Sequence, residues 1–253
     1  MNRDDAACAH SGAKFEPPAG RVIHGWGQIS GYWNWDDPVA DGDEDDLGAY
    51  LDAVKPHAPA MISFYVAPLE SQVRRFLEKY RAFAGRRQFS IAQIGFYFQD
   101  TLLQKGIVAG EYDGHMRELF EGLRDDGRPV LLRIGHEFNN HWIPYDPGLY
   151  KKAWSRVCRF VREAGASSIA TVWHAEPAGF ADRDYHDWYP GDGEVDWWGL
   201  SLFHQEHMSD PRTLAFLEDA RRRCKPVLIG ECSPWFHGTE SAPLRGPDSL
   251  EEA

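Results

Sequence analysis

Two glutamates in this 253-residue chain stand directly after apolar runs, Glu137 in PVLLRIGHEF and Glu231 in PVLIGEC. A carboxylate there is costly to desolvate unless it has a partner or a task. Either each pairs with an Arg or Lys as a structural ion pair, or the two converge as a working pair. The chemistry that calls for two carboxyls flanking one bond is glycosidic cleavage, where one protonates the leaving oxygen and the other attacks the anomeric carbon. The tryptophans point the same way, because indole rings cover the apolar face of a sugar while neighbouring polar groups take its hydroxyls. Trp26, Trp33, Trp35, Trp142, Trp173 and Trp235 all fall in or just after segments of the same kind. Histidine offers a rival chemistry: His24, His136, His174 and His204 also end apolar runs, and imidazole is the commonest metal ligand. That would make a metal-dependent hydrolase, although the chain has no HExxH motif and no HxH on its first run.

Positioning such residues requires a scaffold that gathers many segment ends at one mouth. Apolar runs begin near Arg21, Ala60, Phe89, Pro129, Ser168, Val195 and Pro226, each bounded by Gly, Pro or Asn, as buried strands are. Helical spacing marks Asp46–Val54, Glu70–Phe83, Gly114–Leu123, Leu149–Glu163 and Pro211–Arg223, whereas 178–194 reads as loop. This alternation predicts a parallel sheet in its commonest closed form, the TIM (β/α)8 barrel, whose catalytic groups sit at the C-terminal strand ends. Seven strands are visible. The eighth is missing, since SAPLRGPDSLEEA carries no strand signal, so the barrel reads as C-terminally truncated. Residues 1–18, ending in Pro17-Pro18, read as an N-terminal tail and 19–253 as one catalytic domain. Period-two alternation places Arg133, Gly135 and Glu137 on one face, puts Glu231 in phase with Val227 and Ile229, and sends one of Trp197 and Trp198 inward.

Composition narrows the partners. The chain carries a net charge of −12 and is 13% aromatic; phosphate binding relies on clustered Lys and Arg, so neither nucleic acid nor an anionic membrane is expected as a partner. No stretch approaches a membrane span, and the N-terminus lacks a secretory apolar run. The protein is therefore expected in the cytoplasm, or outside the cell if a leader has been removed or lies outside this chain. The four cysteines show no metal-ligand spacing, and Cys158 and Cys224 read as buried thiols in helical segments.

Three segments, RIGHEFNNHW, WYPGDGEVDWWGLSLF and KPVLIGECSPW, resemble glycoside hydrolase family 26, a clan-A barrel family known mainly for β-mannanases. The resemblance covers roughly Arg133–Trp235 and implies a retaining glycosidase with Glu137 as acid/base and Glu231 as nucleophile. It implies that His136 helps place the acid/base and the substrate, that Trp142 lines the sugar cleft, and that Arg133 helps keep Glu231 ionised. Trp26, Trp33, Trp173, His174, Phe203, His204 and Trp235 complete the expected substrate-binding set. The chain departs from the family pattern at Phe203, where the family has a Tyr that hydrogen-bonds the nucleophile. It departs again at Asn140, where the mannanases have Gly, and in IPYD after Trp142. The expected substrate is a neutral β-linked glycan, β-mannan first, with β-1,3-xylan and mixed-linkage glucan open. No metal or cofactor is called for, since proton transfer and carboxylate attack supply the chemistry. A carbohydrate-binding barrel without turnover is the remaining alternative.

Overall fold

The computed structural model describes residues 12–27, 42–86, 88–143 and 145–232, with backbone alone for 42–46. In chain order the elements are β1 (Gly25–Trp26), α1 (Gly42–Ala53), β2 (Met61–Val66), α2 (Glu70–Arg86), β3 (Ile91–Phe96), α3 (Thr101–Ala109) and α4 (Asp113–Asp126). They continue with β4 (Val130–Ile134), α5 (Pro147–Glu163), β5 (Ile169–Ala175), β6 (Trp197–Leu202), α6 (Pro211–Arg222) and β7 (Val227–Cys232). Every strand lies parallel to its neighbour, in the order β1 to β7. The sheet curls into a partial TIM barrel: Gln93 Nε2 on β3 donates across the interior to the carbonyl of Gly230 on β7, at 2.8 Å. Among the described residues there is no eighth strand, and no helix is long and apolar enough to cross a membrane.

Period two sorts the strand residues into two layers. Ile62, Phe64, Ile94, Phe96, Leu132, Ile134, Trp173 and Trp198 face outward and pack with the helices in the main core. Met61, Ile91, Leu131, Val172, Trp197 and Leu228 face inward and fill the lower barrel, so the adjacent tryptophans 197 and 198 split as expected. Above this apolar layer the inward positions turn polar, with Ser63, Gln93, Arg133, His174 and Ser201 all buried. Removing such side chains from water is tolerable only when they find partners: Gln93 donates to Ser63, Arg133 to Tyr65 and Glu231, and Ser201 to Glu137.

Local signals set the helix ends. Asp146 caps α5 by accepting from Leu149 N at 2.7 Å, with Pro147 in the first turn, where a missing N–H costs nothing. The buried side of α5 is Tyr150, Ala153, Trp154, Val157, Cys158, Phe160 and Val161, an amphipathic stripe. Helix α3 was not anticipated: TLLQKGIVA is apolar nearly all round and shows no stripe, and its ends are fixed by Asp100 and a left-handed Gly110. The stretch 178–194 contains short 3-10 turns at Pro177–Ala181 and Tyr185–Trp188 rather than loop alone.

Two expectations change here. Residues 12–18, read as part of a tail, pack under the barrel: Lys14 Nζ donates to the Ile169 carbonyl at 2.9 Å, and Trp197 Nε1 donates to the Lys14 carbonyl at 2.8 Å. Ala13, Phe15 and Ile23 cover the lower apolar layer. Cys158 is the buried thiol it was expected to be, but Cys224 is disulfide-bonded.

Candidate active site

Strand β4 brings Arg133 into the barrel and then stops. Gly135 and Glu137 both take left-handed backbone, φ 53° and 54°. At Gly135 a side chain would also strike the Tyr150 and Phe98 rings at 2.7 and 2.8 Å. Arg133, Gly135 and Glu137 therefore do not share one face as a regular strand would require; the turn re-aims the segment. Left-handed backbone at a glutamate costs on the order of 1–2 kcal/mol. Phe138, fully buried and stacked on Trp173 at 4.3 Å, holds the turn in place. His136 lies over the Tyr65 ring at 5.4 Å, and Glu137 swings toward β6. There Ser201 Oγ donates to Glu137 Oε1 at 2.6 Å, and Asn140 Nδ2 donates to Oε2 at 3.3 Å.

Strand β7 needs a different device. Ile229 is outward and 42% exposed, so a regular strand would turn Glu231 outward too. A bulge intervenes: Leu200 pairs with Ile229, but Ser201 pairs with Glu231, leaving Gly230 as the extra residue. This corrects the expected phase, because Val227 and Ile229 face away while Glu231 faces in. Gly230 is required there, since a Cβ would lie 2.6 Å from His174 Nε2.

Inside the mouth, Glu231 Oε1 accepts from Tyr65 Oη and from Arg133 Nη1, each at 2.6 Å. Arg133 Nη2 donates to Tyr65 Oη at 2.7 Å, closing a triangle between β2, β4 and β7. The arginine side chain is fully buried beneath a glutamate that keeps 26% exposure. The cation thus grips one oxygen from below, and among the described residues nothing bonds Oε2.

The two carboxyls are poised oppositely. Burial, then the charge of Glu231, pushes Glu137 up to about 7 against the pull of the Ser201 hydroxyl. Burial also works against ionisation of Glu231, but the Arg133 guanidinium outweighs it and, with the Tyr65 hydroxyl, holds the group down at about 2. Burial and the same arginine push His136 down to about 3 and His174 well below its ordinary value. Both imidazoles are neutral at neutral pH, so the cation that keeps Glu231 charged there is Arg133. Such a divergent carboxyl pair is what an acid and a nucleophile need.

The other expected residues scatter. Trp173 is fully buried in the outer core, against Phe138, Trp198 and Phe216, so it belongs to packing and not to a cleft. His174 is inward and buried, with its Nε2 3.4 Å from Ser201 Oγ, and so supports Ser201 from below the mouth. Trp142 is 91% exposed at the rim, its backbone N–H donating to Asn140 Oδ1. Trp26 leans half-buried on Tyr50. The Phe203 ring offers no hydroxyl, and His204 lies beside His207 and Glu206, bonded to neither carboxyl. Trp33 and Trp235 lie outside the described residues. The histidines do not converge on a metal: His24 meets the Tyr50 hydroxyl, and among the described residues no three His, Cys, Asp or Glu side chains gather. Tyr65, which closes the second apolar run, and Ser201 lie outside the expected site set. Both carry a signal in hindsight, as inward polar positions on otherwise apolar strands.

Residues 105–218 match the family model for Glycosyl hydrolase family 26, a stretch that contains Glu137 but not Glu231. Over 132 residues the chain is 32% identical to a beta-1,3-xylanase from Vibrio sp, covering 51% of this chain and 29% of that protein. It is 30% identical over the same length to a beta-1,3-xylanase from Alcaligenes sp, covering 51% and 28%. The matched region thus spans under a third of each curated relative. A GH26 beta-mannanase structure from Bacteroides ovatus superposes with a TM-score of 0.53 at 16% identity, covering 72% of this chain and 67% of that one, a likeness of fold.

Proposed function

The chain belongs to glycosyl hydrolase family 26, and from that premise we propose that it is a retaining glycosidase of β-linked polysaccharide, with Glu137 as acid/base and Glu231 as nucleophile. The observation that carries this reading is that Ser201 on β6 brings the two carboxyls to one mouth: its hydroxyl donates to Glu137 Oε1 at 2.6 Å and its backbone pairs with Glu231 on β7. The opposite poise of the two groups, about 7 and about 2, accords with it. In the first step the Glu137 carboxyl protonates the glycosidic oxygen while Glu231 Oε2 attacks the anomeric carbon, and the C–O bond to the leaving sugar breaks. Esterification removes the charge of Glu231, one of the influences that raise Glu137. The acid/base therefore becomes more acidic just when it must act as a base. In the second step Glu137 takes a proton from water, the water oxygen bonds the anomeric carbon, and the bond to Oε2 breaks to restore the Glu231 carboxylate.

Among glycans, β-1,3-xylan is the first candidate and β-1,4-mannan the second. Both curated relatives are named beta-1,3-xylanases, at 30–32% identity, whereas the mannanase likeness is one of fold. His136, buried beside Tyr65, and Trp142 at the rim are proposed to contact the sugar. The test incubates the parent, Glu137→Ala and Glu231→Ala with β-1,3-xylan and, separately, β-mannan, following the anomer formed by NMR. Retained configuration is expected from the parent, with each variant slowed at least about a hundredfold. Inverted product, or Glu231→Ala at the parent rate, overturns the assignment. Binding with no hydrolysis by the parent would leave a glycan-binding barrel, and faster turnover of mannan would reverse the order of substrates.

A further inference from the structure

The triangle under the mouth contains a residue to which none of the steps above gives a role. Tyr65 Oη meets both Arg133 Nη2 and Glu231 Oε1. A guanidinium can only donate, so the phenol oxygen accepts from Arg133, and its proton is donated to Glu231 Oε1 at 2.6 Å. The direction of this bond is fixed by its neighbour. The ring itself is fixed as well: Tyr65 is 3% exposed, and Gly95 on β3 lies flat against it, where a Cβ would stand 2.6 Å from the ring. Arg133 completes the clamp with its guanidinium carbon 5.1 Å from the ring centroid.

We propose that Tyr65 is a positioning residue for the second half of the reaction, a preset donor that receives the negative charge returning to Glu231 as the glycosyl-enzyme breaks down. The inference rests on the retaining reading above. In the glycosyl-enzyme Oε2 is bonded to the anomeric carbon and Oε1 is an uncharged carbonyl oxygen, a weak acceptor. When water attacks and the C–Oε2 bond breaks, the electron pair spreads over both oxygens and Oε1 again needs its donors. Donors held in place before the charge develops stabilise the transition state without reorganising. In the first half the sign is reversed, because the carboxylate is losing charge as it attacks, so the same bond favours the ground state and contributes little to the rate.

The test is Tyr65→Phe, which keeps the ring against Gly95 and removes only the hydroxyl. The probe is a 2,4-dinitrophenyl β-xylobioside, whose leaving group departs without help, so that breakdown of the glycosyl-enzyme limits kcat. One hydrogen bond to a developing charge corresponds to about a tenfold loss or more. We expect kcat to fall by that factor, KM to fall with it, kcat/KM to stay within about threefold, and a burst of dinitrophenol to grow. The acidic limb of kcat/KM should also move toward neutral pH, since a donor to the carboxylate has been lost. Equal losses in kcat and kcat/KM, or an unmoved kcat, overturn the proposal. Incorporating 3-fluorotyrosine, which retains the ring and its donor, should leave kcat near the parent value; a loss equal to that of the Phe variant also overturns it. Labelling of the parent by a 2-deoxy-2-fluoro-xylobiosyl fluoride separates the two failures. If Glu231 is labelled, the retaining reading stands and Tyr65 is judged alone; if it is not, that reading fails and takes this one with it.

Discussion

Ser201→Ala should move the alkaline limb of the pH profile upward. The Ser201 hydroxyl donates to Glu137 Oε1 at 2.6 Å, and a donor to a carboxylate favours the charged form. Its loss therefore raises a group that already stands at about 7. A hydrogen bond to a charged group contributes about 1.5–3 kcal/mol, and about 1.4 kcal/mol corresponds to one pH unit. Asn140 still holds the other oxygen and the carboxyl keeps some access to solvent, so about one unit is expected. Glu137 must carry its proton when the glycosidic bond breaks, so activity is lost as pH rises through its pKa. The limb in kcat/KM for an unactivated oligosaccharide should thus shift from near 7 to near 8, leaving the acid side, governed by Glu231, in place. An aryl glycoside whose leaving group needs no proton serves as the control and should show no such shift. A limb that stays put or moves to lower pH would refute the reasoning that Ser201 tunes the acid.

Stability should report the same poise. Glu137 is raised in the folded state, so its contribution is fully present below about 4.5 and is lost as pH rises through about 7. At pH 8 its charge costs about 2–3 kcal/mol, and Glu137→Gln should melt roughly 5 °C higher there but not at pH 4; equal shifts at both pH values would contradict the poise. Gly95→Ala should lower activity about tenfold or more and stability by about 1–3 kcal/mol, because the new methyl strikes the Tyr65 ring; calorimetry and initial rates check it. Trp173→Ala should cost about 3–5 kcal/mol, whereas Trp142→Ala at the exposed rim should leave the melting temperature within about 1 °C and raise KM for polymer. Reversed effects would return Trp173 to the cleft.

Much of this architecture is legible in the sequence. Strand β4, with Arg133 between apolar residues, and the glutamates closing β4 and β7 follow from short apolar runs punctuated by glycine. What could not be read was local geometry that breaks the period. Nothing in RIGHEF announces a left-handed glutamate, and nothing in VLIGEC announces that Gly230 is skipped, yet these two irregularities aim both carboxyls. The role of Tyr65 was hidden for another reason: its partner lies 166 residues away, and the two meet only because the sheet curls. Trp173 was avoidable. It neighbours His174 on one strand, and period two forbids both from facing the same mouth.

The segment beneath the barrel has a practical consequence. Lys14 and Trp197 stitch residues 12–18 to the floor, the pole opposite Glu137 and Glu231. Anchoring the molecule to a bead by a handle upstream of residue 12 would turn its open end outward, toward a solid fibre too large to diffuse to it. A handle joined directly to Cys232 would instead sit one residue from Glu231 and shade the opening from the material it is proposed to cut.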